Sequence, residues 1–131
     1  MSELTLEVAK NMIEKAEEKA KEINVPMVIT IVDSGGNLIA CHRMDRAFLA
    51  SVDISQNKAW TAVALQMPTS LLQDVAQPGG ELYGINTTND GRIIVFGGGI
   101  PITNGDQVIG AIGVSGGSVA EDTEVAEAGI E

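Results

Sequence analysis

Two polar turns constrain this chain more than anything else in it. Asp33-Ser34-Gly35-Gly36-Asn37 separates residues 28–32 from residues 38–43, and Asn104-Gly105 separates residues 100–103 from residues 107–114. The flanking runs are rich in Val, Ile and Leu and read as strands. Connections this short join antiparallel neighbours, because a parallel pair needs a crossover of a dozen or more residues. The sheet is therefore expected to be mainly antiparallel. Residues 28–32 are apolar on both alternating faces, which predicts an interior strand. On the returning strand Leu38, Ala40 and His42 share one face, and Ile39, Cys41 and Arg43 share the other.

Helices fill the intervals. Leu6, Ala9, Ile13, Ala16, Ala20 and Ile23 recur at steps of three and four, with Glu and Lys between them. This predicts an amphipathic helix with a narrow apolar seam, ending before Pro26, its charges forming a solvated face. Residues 48–66 predict a second helix, with Leu49, Val52, Ala59, Ala62 and Val63 on its buried side. Residues 68–77 predict a short third one. Residues 79–91 read as a loop and residues 92–96 as a further strand. Ser118 and Glu121 fit a capping box opening a last, acidic helix over residues 118–128. The expected order is α-β-β-α-α-β-β-β-α, an α+β architecture in a single domain spanning residues 1–131.

Composition narrows the function classes. Aromatics are only 3% of the chain, so the core must be built from aliphatic side chains and Met. A net charge of −10 repels phosphate backbones and anionic lipid, so neither nucleic acid nor a membrane is an expected partner. There is no 18-residue apolar run and no signal-peptide pattern. One cysteine cannot form an internal disulfide, which suits a reducing compartment. The expected location is the cytoplasm.

Polar side chains able to do chemistry concentrate in residues 39–61, which hold the only histidine (His42), the only cysteine (Cys41), Arg43, Asp45, Arg46 and Lys58. His42 has two readings: a metal or haem-iron ligand or base near neutral pH, or a hydrogen-bonded structural residue. No zinc-type ligand spacing accompanies it. Arg43 and Asp45 either pair with each other or face a ligand. Ser55 and Lys58 form S-x-x-K without the companion motifs of serine acyl-transferases. Lys58 lies among inward-facing residues, so its ammonium either reaches a pocket or subunit boundary or snorkels to the surface. Gly97-Gly98-Gly99 is a bend, or a set of amides able to hold an anion. Gly79-Gly80-Glu81 is a mobile loop, or a lid carrying the Glu81 carboxylate.

Several segments together resemble the HbpS/GlcG family, which also includes the C-terminal domain of PduO-type cobalamin adenosyltransferases. They are VDSGGNLIA (32–40), HRMDRAFLASVDISQNKAWTA (42–62), QPGGELYGI (77–85), GRIIVFGGGIPI (91–102) and IGAIGVSGG (109–117). The resemblance implies a profilin-like five-stranded antiparallel sheet flanked by helices. It also implies homo-oligomers, from dimers to octamers. Haem binding or degradation is linked to the family, as is cobalamin-dependent or other small-molecule catabolism. Arg43, Met44, Asp45, Ser51, Lys58, Thr61, Gly98, Gly99 and Pro101 match the family pattern by position. The likeness does not extend to the adenosyltransferase part, so ATP-dependent adenosyl transfer is not implied.

The expected function is an oligomeric binding protein for haem or a corrinoid. In that reading His42 approaches the metal, Arg43 or Lys58 neutralises propionates, and Glu81 with Gly98 and Gly99 closes the site beside Ser51 and Asp45. One alternative is an enzyme in which Arg43 and Lys58 clamp the carboxylate of a small-molecule substrate, with His42, Asp45 or Glu81 as acid or base. Another is an assembly protein in which the polar cluster is buried between subunits.

Overall fold

The computed structural model describes residues 3–131. Its elements are α1 (Leu6–Glu22), β1 (Val28–Asp33), β2 (Leu38–Arg43), α2 (Ala50–Leu65), β3 (Gly99–Asn104), β4 (Gln107–Ser115) and α3 (Val119–Gly129). Short 3-10 turns occupy Thr69–Leu72, Ile85–Thr87 and Asn89–Gly91. The four strands form one antiparallel sheet in the order β2-β1-β4-β3. β1 lies inside it, as its two apolar faces require.

The two turns have identifiable causes. Asp33 Oδ1 accepts from the amides of Gly35 and Asn37, both at 2.9 Å, and Gly36 takes a φ of +79°. This closes the β1–β2 hairpin with an Asx-type turn. Gly105-Asp106 forms the two-residue connection of the β3–β4 hairpin, where Asn104 pairs with Gln107.

Three layers result. α1 and α3 pack together on one face of the sheet around Ile13, Ile29, Ile31, Ile112, Val114 and Val125. α2 covers the other face, with Ala59 and Ala62 against Val32 and Ala111. Thr5 caps α1 by accepting from the Val8 amide, and the Ser118–Glu121 capping box opens α3. Gly113 lets α2 lie close: a Cβ there would run into the Ser55 carbonyl.

The five-stranded, profilin-like expectation is corrected to four strands. Residues 92–96 do not join the sheet, because α2 satisfies their backbone instead. Thr61 Oγ1 accepts from the Ile94 amide at 3.1 Å and lies 3.0 Å from the Arg92 carbonyl. The Arg92 guanidinium stacks on Trp60, 3.8 Å from the ring centroid. β3 remains an edge strand, and Pro101 withholds one ladder donor there. The expected helix over residues 68–77 is likewise reduced to the 3-10 turn Thr69–Leu72 and further turns. α2 starts at Ala50, leaving Leu49, expected on the buried side, 73% exposed.

Candidate functional site

The sheet separates the polar residues singled out by the sequence into two groups. The first lies beneath α2. Ser51, Ser55, Lys58 and Thr61 recur at helical spacing and are all buried, so this helix buries polar side chains beside Ala59 and Ala62. Ser55 and Thr30 hydroxyls lie 2.8 Å apart, and Ser115 donates to Ser51 at 3.0 Å. Lys58 is completely buried. Its Nζ donates to the Val114 carbonyl and to Asp122 Oδ2, each at 2.8 Å, and sits 5.1 Å from the Phe96 ring centroid.

This lysine neither snorkels nor reaches a pocket. Burial holds its ammonium below the ordinary lysine value and lifts the Asp122 carboxyl above the ordinary carboxylate range, each opposed by the other charge. The ion pair joins α2 on one face of the sheet to α3 on the other. Asp122 also accepts from the Gly117 amide at 2.8 Å. Gly98 and Gly99 are buried directly against Lys58, where side chains would collide with it. The Gly99 amide donates to Thr69 Oγ1 at 3.0 Å, and the Gly98 carbonyl accepts from Val114. Gly98 and Gly99 thus make room for Lys58, and Gly97 for Val119 and Thr123 of α3.

The second group gathers where β2 runs into the loop before α2, on the α1 side. His42 Nδ1 lies 3.3 Å from Glu17 Oε2, and the His42 side chain is 45% exposed. A carboxylate is an acceptor only, so Nδ1 carries the proton of the neutral ring and Nε2 keeps its lone pair. Arg43 donates through Nε and Nη2 to the Ala47 carbonyl, at 3.1 and 2.9 Å, which fixes its guanidinium plane. A groove of about 560 Å³ opens here, its walls including Glu17, Lys21, Arg43, Met44, Asp45 and Arg46; His42 is not one of its walls but adjoins it through Glu17 and Arg43.

Glu81 joins neither group. It is exposed in the loop after Gly80, and among the described residues its carboxylate makes no ion pair. Among the described residues there is also no cluster of three or more metal-ligating side chains and no helix long and apolar enough to cross a membrane.

Three residues of these groups were missed in the sequence: Glu17, Lys21 and Asp122. The signal for Asp122 was a carboxylate on the stripe it shares with Val125, Ala126 and Gly129, all buried in α3. The signal for Glu17 and Lys21 was the face of β2. His42 points to the α1 side, so the charges of α1 nearest the strand end are its neighbours.

The chain has close relatives. It is 50% identical over 128 residues to an uncharacterized 15.0 kDa protein of the dhaT-dhaS intergenic region of Citrobacter freundii, covering 98% of this chain and 90% of that one. It is 42% identical over 115 residues to the corrinoid adenosyltransferase PduO of Salmonella typhimurium, covering 88% of this chain but only 34% of that protein. Among solved structures, that of a PduOC–haem complex superposes with a TM-score of 0.94 at 38% identity, covering 98% of this chain and 93% of the other. The family model described as "Haem degrading protein HbpS-like" matches residues 4–131, and the chain belongs to that family.

Proposed function

We propose that this chain is a haem-binding protein that acts as a homo-oligomer in the cytoplasm, with His42 as the iron ligand. The observation that carries the reading is the His42–Glu17 pair. An exposed imidazole with Nδ1 held by a carboxylate presents a free Nε2, the arrangement in which protein histidines ligate metals. The haem-bound PduOC structure, similar over nearly the whole chain, supports haem as the ligand. The iron would supply the redox or ligand chemistry. The chain's own residues hold the imidazole in one tautomer, and the next residue, Arg43, is anchored on the Ala47 carbonyl.

Haem binding is not assigned to Lys58, Gly98 and Gly99, whose groups are engaged by the buried ion pair and its packing. The apolar wall of the groove is thin: Ala20, Val25, Pro26 and Met44 are its apolar residues. A flat macrocycle held there leaves its outer face uncovered, and a second copy of the chain supplies the cover. The exposed Phe48, Leu49, Leu71 and Tyr83 provide apolar surface for such assembly.

Haem titration tests the reading. The wild type should bind haemin with a red-shifted Soret band, and His42→Ala should lose that shift while keeping its thermal midpoint, since the side chain is half exposed. Haemin added to the wild type without any spectral change would end it.

A further inference from the structure

The groove beside His42 carries a charge balance opposite to that of the molecule. The chain has eight basic and eighteen acidic residues. The groove has Lys21, Arg43 and Arg46 against Glu17 and Asp45, and Glu17 is already engaged by His42. The ion pairs among the described residues are Lys19–Glu124 and Lys58–Asp122, and Glu17 accepts from the His42 ring. Lys21, Arg43 and Arg46 therefore line the groove with no carboxylate of the described residues within ion-pair distance. All three are exposed, so their charges are open to an anionic group entering the groove.

Arg46 adds a second, independent oddity. Its φ is +69°, a left-handed conformation that is strained for any residue with a Cβ. Glycine would sit there without cost. Among the described residues no partner receives its charge, so a long cationic side chain at this glycine-like position gains the fold nothing from an ion pair there.

We propose that Lys21, Arg43 and Arg46 form a clamp for ligand carboxylates and so determine which ligand the groove accepts. Arg43, its plane fixed by Ala47, presents its remaining N–H groups in a planar fork suited to a carboxylate. Lys21 and Arg46 add charge at the same groove. The clamp selects a tetrapyrrole bearing free carboxylates, such as haem with its two propionates, over a corrinoid whose periphery carries amides. This assignment takes the ligand's identity from the haem reading, but the carboxylate preference stands on the groove's charge alone.

The experiment compares haemin with haemin dimethyl ester on the wild type, Arg46→Gly and Lys21→Ala, and adds a titration of each protein with free succinate followed by amide NMR shifts. Haemin should bind each variant about ten-fold more weakly than the wild type, the loss of one charge-assisted contact. The ester should bind the wild type at least about ten-fold more weakly and be indifferent to both substitutions. Arg46→Gly should not lower the thermal midpoint, because it removes left-handed strain, so weaker binding cannot be blamed on unfolding. Equal binding of haemin and its ester to the wild type would overturn the clamp. If haemin does not bind at all, the haem reading fails by itself, and succinate decides the clamp: shifts centred on Lys21, Arg43 and Arg46 that vanish in Arg46→Gly support it, and their absence overturns it.

Discussion

Helices α1 and α2 lie on opposite faces of one sheet and bury different chemistry. α1 turns Ala9, Met12, Ile13, Ala16 and Ala20 inward, an apolar seam whose burial is non-directional and tolerant of small changes in shape. α2 turns Ser51, Ser55, Lys58 and Thr61 inward beside Ala59 and Ala62. Every buried polar side-chain atom among the described residues has a hydrogen-bond partner. The α1 face is held by area, and the α2 face by a set of directional bonds that must all form together. One consequence is asymmetry under mutation: removing a methyl group from the seam is a graded loss, whereas removing one member of the polar set strands another.

The largest expected effect breaks the polar side. Lys58→Met should destabilise the chain by about 3–5 kcal/mol in denaturant unfolding, because it leaves the Asp122 carboxylate buried without its partner. Pairing it with Asp122→Leu should recover most of that loss. A single variant as stable as the wild type would mean that the ion pair does not hold α2 to α3. On the apolar side, Ile13→Val should cost only about 1 kcal/mol in the same assay, the loss of one buried methylene. A cost equal to that of Lys58→Met would erase the contrast between the faces.

The smallest effect concerns the turn that sets the hairpin on both. The amides of Asn37 and Gly35 hold the Asp33 carboxyl below its ordinary value of 3.8. A folded-state value below the unfolded one means that stability is gained above pH 3.8 and lost as pH falls through the folded value. Asp33→Asn keeps the acceptor but not its charge. It should therefore cost a few tenths of a kcal/mol at neutral pH, and the difference from the wild type should vanish in acid.

The same contrast explains what could be read in the sequence. The α1 seam, the two hairpins, the interior position of β1 and the α3 capping box follow local rules, so periodicity and turn chemistry located them. The α2 interior violates the rule that apolar residues face inward. Leu49 was expected inside on that rule and lies outside, while Lys58, expected at a pocket or on the surface, is fully buried. The strand expected over residues 92–96 failed for the same reason: its hydrogen bonds go to Thr61, and nothing in its own pattern reveals a helix side chain as the acceptor. His42, Arg43 and Asp45 were legible because they are neighbours in sequence at one strand end. Glu17 and Lys21 join them only through the packing of α1 across the sheet.

The Lys58–Asp122 bond spans 64 positions of the sequence. A nascent chain emerging from the ribosome makes α2 long before it makes the aspartate that neutralises it, and β1 gains its second neighbour only when β4 arrives. The α2 layer is therefore complete only when β4 and α3 are in place: a segment from the first half of the fold takes its one buried counter-charge from the last helix, so the two ends of the described fold are tied to each other through the ion pair.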